Sequence, residues 1–150
     1  MKDAVEKMIL MGINLYLYWG ALQDMKERTI QNSYLGIGEI AGVIFNIVMI
    51  VAGNFSLKNR MLALLPGILF LIMAAITKEK IGHGDGMILW VLGNFLDIEE
   101  LWYILQGALL LLMIFSVLLL CTKKAFHNCQ IPFLPFLWMS QTILWGISYV

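Results

Sequence analysis

The sequence predicts an all-α, polytopic membrane helix bundle with about six transmembrane helices, and three observations carry that prediction. Hydrophobic residues make up 61% of the 150-residue chain and charged residues only 13%, roughly half the charged share of a soluble domain. The mean hydropathy is +0.83. The charges fall in short clusters between long apolar runs, the pattern of loops joining membrane spans. Ten basic and ten acidic residues give a formal net charge of zero, so the balance points neither to nucleic acid nor to an acidic partner.

Six apolar segments follow in order: Met8–Gln23, Tyr34–Asn54, Met61–Ile76, Asp85–Leu96, Leu101–Thr122 and Pro132–Val150. A helix needs about 20 residues to cross a hydrocarbon core of ~30 Å. The second, fifth and sixth segments reach that length. The first and third are slightly short, with Lys and Arg at their ends able to snorkel to the interface. The fourth is much too short. Lys2 and Lys7 before the first apolar run resemble a signal peptide, but no small-x-small cleavage site follows, so the run reads as a retained first helix. The connecting loops are brief and no repeat or linker interrupts them. Residues 1–150 therefore read as a single membrane-embedded domain, one compact bundle.

Lysine and arginine counts set an expected orientation. The first, third and fifth loops carry Lys26, Arg28, Lys78, Lys80, Lys123 and Lys124, against Lys2, Lys7, Lys58 and Arg60 on the other side. That bias places the odd loops in the cytoplasm and both termini outside. Cys121 and Cys129 have neither zinc-pair spacing nor the number for a disulfide framework, and read as free thiols. No metal site and no cofactor is expected.

The acids are the chemically informative residues. Asp24 ends the first segment and Asp85 opens the fourth, so alternating helices bring both to one membrane face. Two carboxyls held together cannot both ionise, and such a pair can share a proton. One then activates water while the other polarises a peptide carbonyl. From Asp97 back to Asp85 is twelve residues, or ~18 Å of helix, which would sink Asp85 on the order of 10 Å below the cytoplasmic surface. The short fourth helix then becomes the device that submerges the site. Gly82, Gly84 and Gly86 flank His83 and Asp85, and glycine permits a tight turn and close approach of a peptide backbone.

Gly82-x-Gly84-Asp85 resembles the GxGD signature of intramembrane aspartic peptidases. Asp24 followed by Met25-Lys26-Glu27-Arg28-Thr29-Ile30-Gln31-Asn32 resembles the stretch after the first catalytic aspartate of prepilin and preflagellin peptidases, where a basic segment leads to Ile-Pro-Asn. Ile131-Pro132-Phe133-Leu134-Pro135-Phe136 is similar to that family's approach to its last helix. The three stretches occur in the family's order. The resemblance implies a membrane-embedded aspartic endopeptidase with Asp24 and Asp85 as the catalytic pair, in a peptidase-only form without the zinc-binding methyltransferase segment. It implies as partner, within the lipid bilayer of the plasma membrane, a precursor with a short basic leader and a hydrophobic helix, cut at the cytoplasmic edge. Gln31 stands where the family has proline, and Met87 where it commonly has lysine.

Plainer readings stand beside these. Asp24 alone reads as a helix-end charge, and Asp85 alone as an N-cap. Glu39, inside the second helix, could tune the aspartates, receive a leader lysine or simply snorkel; Asn46 lies two turns further on the same face. Gly38 and Gly42 read as helix packing. His83 could adjust the pH response or be an inert loop residue, and Lys26 and Arg28 could meet substrate or anchor the loop. Lys123, Lys124 and His127 read as interface anchors, and the tryptophans as belt or packing residues. At the level of function, a peptidase for a non-pilin secreted peptide and a non-catalytic assembly partner remain the alternatives. A proton-coupled transporter is disfavoured by the lack of an inverted repeat.

Overall fold

The computed structural model describes residues 2–27, 30–53, 56–77, 82–121 and 131–147. Every element among them is a helix, in the order α1 (Lys2–Glu27), α2 (Asn32–Val51), α3 (Leu57–Ile76), α4 (His83–Gly93), α5 (Ile98–Cys121) and α6 (Leu134–Ile147). Three of these, α2, α3 and α5, are both long and apolar enough to cross a membrane. Much of their surface is bare hydrocarbon: Ile37, Ile40 and Ile47 of α2, Leu69 of α3, and Met113 and Leu118 of α5 are all exposed. Water would oppose such faces, whereas lipid tails solvate them, and the helices satisfy their own backbone groups. The chain is a membrane protein.

Backbone contacts divide the chain into two compact units, residues 29–102 and the combination of 1–28 with 103–150. In the second of these, α1 packs on α6. Ile13, Leu17 and Ala21 are buried at helical spacing on α1, facing a core to which α6 supplies Leu134 and Leu137. Polar groups seam this interface. Asn14 donates to Thr142 at 3.3 Å, the Trp138 indole donates to Asn14 at 3.2 Å, and Gln141 donates to the Leu10 carbonyl at 3.4 Å. Ser140 donates to the Ile104 carbonyl of α5 at 2.8 Å.

In the other unit, α4 is the centre. At 11 residues it spans about 17 Å, half of a bilayer core, and it is buried nearly all round through Ile88, Leu89, Val91 and Leu92. The helix can lie this close to α3 because side chains are missing at the contacts. A Cβ on Gly93 would fall 2.5 Å from the Ala63 carbonyl oxygen, and one on Gly67 would fall 2.6 Å from the Trp90 nitrogen. On α2, Gly42 leaves room for Asn94, so the expected packing role of Gly42 has a specific partner.

Several boundaries differ from the sequence reading. The first helix does not stop at Asp24 but continues to Glu27, so Asp24 lies within its last turn. The third helix starts at Leu57 rather than Met61, which takes Arg60 into the helix. The fourth ends at Gly93, and Glu99 and Glu100 form the first turn of α5 instead of a loop. Acids are favoured there by the free N–H groups and the helix dipole. Apolar runs mark where lipid or core begins, and helices extend past them while backbone bonding continues. Arg28, Lys78, Glu79, Lys80, Lys123, Lys124, His127 and Cys129 lie outside the described residues.

Candidate active site

Asp24 shares a face with Ile13, Leu17 and Ala21, and that register takes its side chain into the protein; it is 7% exposed. Its carboxylate is met there by the start of α6. The Leu134 N–H donates to Oδ2 at 3.1 Å, and the Phe133 N–H is a second backbone donor. A helix N-terminus leaves such donors unpaired and carries partial positive charge, a setting suited to a carboxylate. Asp24 is therefore more than a helix-end charge in water. The Ile131–Phe136 stretch also gains a physical role, since it builds the helix start that holds Asp24.

Asp85 belongs to the other unit. The residue before α4 is Gly82, with φ −61° and ψ 121°, so Asp85 is the third residue of the helix and does not act as its N-cap. Its N–H donates to the Gly82 carbonyl at 3.1 Å, and its carboxylate folds back over Gly82, where a Cβ would lie 2.9 Å from Oδ2. The bond from the Asp85 N–H closes a turn from Gly82 to Asp85, and the turn does not rest on a left-handed glycine. The backbone at Gly82 is one that any residue adopts, and the one glycine with positive φ among the described residues is Gly53. Space is what these glycines supply: a Cβ on Gly84 would meet Ile30 at 2.7 Å, and one on Gly86 would meet Leu71 at 2.9 Å. His83 is exposed and opens α4 rather than sitting in a loop.

Glu39 lies two turns inside α2, half-buried, and accepts a hydrogen bond from the Trp90 indole of α4. Asn46, on the same face of α2, donates to Asn94 at 3.1 Å and to the Gly42 carbonyl at 2.9 Å. The polar stripe expected on α2 thus faces α4. Trp90 and Trp138 prove to be hydrogen-bond donors to Glu39 and Asn14, whereas Trp102 is exposed. Lys26 is exposed in the last turn of α1.

Gln31 is the N-cap of α2 with φ −67°, the value to which a proline ring would lock it. Its substitution for proline therefore leaves the backbone path unchanged. Met87 is 37% exposed; two residues past Asp85 on α4, it points to a different side of the helix.

A family model for the type IV leader peptidase family matches residues 9–122, about three quarters of the chain. The chain belongs to that family. Neither a curated protein nor a solved structure matches it. As a member of a leader peptidase family it is a membrane protease whose substrate is a precursor protein. The matched residues include both Asp24 and Asp85 and stop short of Ile131–Phe136.

Proposed function

We propose that this chain is an aspartic endopeptidase of the plasma membrane, with Asp24 and Asp85 as its catalytic pair. It removes the short basic leader of a type IV prepilin-like precursor, or of a related secreted peptide, at the cytoplasmic edge of the bilayer. The two units work together as one peptidase domain. The observation that carries this reading is a leader-peptidase match that spans both aspartates and the GxGD stretch. The setting of Asp24 supports it, because that carboxyl is buried against the backbone N–H groups that open α6 and is not a helix-end charge in water. Asp85 lies in the first turn of α4, where the helix dipole favours its ionised form.

Peptide hydrolysis by two carboxyls follows from shared protonation. The ionised carboxyl takes a proton from water as the oxygen attacks the scissile carbonyl carbon. The protonated one donates to the carbonyl oxygen, and a proton then passes to the departing amide nitrogen. Gly82 is exposed beside the Asp85 carboxylate, and a glycine there lets an extended substrate backbone approach closely. Lys26 and Arg28 follow Asp24 closely in sequence and His83 precedes Asp85, which makes them candidates for meeting substrate; Glu39 is a candidate for tuning the site or for receiving a leader lysine. A non-pilin substrate is the second reading, left open by Met87 and Gln31, which depart from the residues the family commonly has at those positions.

The test is cleavage of a precursor with a basic leader and a hydrophobic helix. Asp24→Asn and Asp85→Asn should each lower the rate at least about 10²–10⁴-fold while leaving the protein folded and inserted. Asparagine keeps the shape and loses the proton exchange. The double variant should be no worse than either single one, because one loss already breaks the unit. Wild-type rates in either variant would sink the aspartic reading and leave the non-catalytic partner in its place.

A further inference from the structure

The geometry points to Arg60 as a positioning residue for the proposed peptidase: it clamps the far end of α4 and so sets where Asp85 sits. The inference rests on the catalytic reading of Asp85 but goes beyond it. The last carbonyls of a helix lack intrahelical partners, and at α4 their bonding can be traced. Asn94 donates through its side chain to the Trp90 carbonyl at 3.3 Å and through its backbone to Val91 at 3.1 Å. Phe95 and Leu96 donate to Leu92 at 3.0 and 2.9 Å. The chain then turns, and the carbonyls of Asn94 and Leu96 are both taken by the Arg60 guanidinium of α3, at 3.1 and 3.3 Å.

The clamp is itself held. The guanidinium lies 5.7 Å from the centroid of the Phe45 ring, within cation–π range, and Phe45 stacks on Phe95 at 5.5 Å. Asp97 and Glu100 supply opposite charge to Arg60, and Asn46 of α2 grips Asn94 at 3.1 Å. Both bonds leave the same guanidinium nitrogen, Nη1, and a charge-assisted donor shared by two carbonyls holds them at a set distance from α3. The sides of α4 are already set by the glycine contacts with α3, which resist sideways shift but leave sliding along the axis open. Arg60 removes that freedom. Asp85 lies eight residues from the last helical residue Gly93, about 12 Å along a rigid rod, so movement at the clamped end is passed to the carboxyl undamped. A displacement of ~1 Å at a reacting group can lower a rate on the order of 10²-fold.

Two readouts test this, one of which needs no catalysis. In protein lacking Cys121 and Cys129, the thiol of an Asp85→Cys variant is labelled with a membrane-impermeant reagent, with Lys26→Cys as a distant control. Adding Arg60→Met should change the labelling rate at position 85 several-fold and leave position 26 alone, while Arg60→Lys, which keeps the charge and one carbonyl bond, should fall between. Per folded molecule, leader cleavage by Arg60→Met should drop about 10–100-fold in kcat with KM nearly unchanged, with partial recovery in Arg60→Lys. If Arg60→Met fails to fold, Arg60→Lys decides alone, and wild-type labelling at 85 together with wild-type kcat overturns the assignment. Equal changes at positions 85 and 26 also overturn it, because they indicate general loosening. Altered labelling at position 85 on adding Arg60→Met, together with a wild-type protein that cleaves no precursor, would uphold the clamp and refute the peptidase reading instead.

Discussion

The smallest informative unit is the pairing of Gly82 with the carboxylate of Asp85. Because Gly82 has ordinary dihedrals, Gly82→Ala costs nothing in backbone strain; the added methyl only displaces the carboxylate, 2.9 Å away. An off-rotamer side chain costs about 0.5–1.5 kcal/mol. Gly82→Ala is expected to keep wild-type thermal stability and lose about 2–10-fold in cleavage rate by the same arithmetic. An unfolded variant would show that torsion matters after all. Glu39→Gln is the companion experiment. The glutamine oxygen can still accept from Trp90, so cleavage should be partly or fully retained. Complete loss with intact folding would add a third acid to the site. At this scale the sequence is legible for residue identity, since both aspartates and the glycines stand out within apolar surroundings. It is silent on partners: the Leu134 N–H that meets Asp24 is 110 residues away in sequence.

Among the elements, α4 shows how a helix too short to span becomes stable. It exchanges lipid contact for protein contact on nearly every side, and the cost of closeness is the loss of Cβ atoms at Gly67, Gly86 and Gly93. Overpacking such a contact costs typically 1–3 kcal/mol, and at Gly93 the clash is with the Ala63 backbone, which cannot swing aside. Gly93→Ala should therefore lower the unfolding temperature in detergent markedly. Gly36→Ala, with nothing within 4 Å of its Cβ, should leave the unfolding temperature unchanged or raise it, as alanine is the better helix former by about 1 kcal/mol. Matching losses at both positions would refute the close-contact account. The shortness of α4 was readable from the apolar run, and its burial followed from the absence of length to cross a bilayer. That Arg60 ends on its carbonyls was not readable, because an arginine at the edge of an apolar run looks the same whether it reaches headgroups or a neighbouring helix.

For the whole molecule, the proposed topology places the odd loops in the cytoplasm and the proposed site with them. In intact cells, with Cys121 and Cys129 removed, an impermeant thiol reagent should label Lys58→Cys from outside and leave Lys26→Cys untouched until the membrane is opened. The reverse pattern would put the proposed site on the wrong face for a cytoplasmic leader and would overturn the localisation. Lys78, Lys80, Lys123 and Lys124 carry much of the charge bias behind this orientation, and the labelling decides it.

What the sequence determined by itself was anything that depends on solvent preference along the chain. Long apolar runs separated by charges can be stable only in lipid or in a protein core, so the helical membrane class, the short fourth helix and the order of the Asp24 and Gly82–Asp85 motifs were all legible. The family match rests on the same linear information. What only the tertiary structure decided was which groups meet. The α6 backbone closes on Asp24, Asp85 folds over Gly82 instead of capping, Glu39 takes the Trp90 indole, and Arg60 turns inward to α4. Hydrogen bonds and steric contacts act over about 3–4 Å between residues remote in sequence, and no pattern of hydropathy or spacing records them.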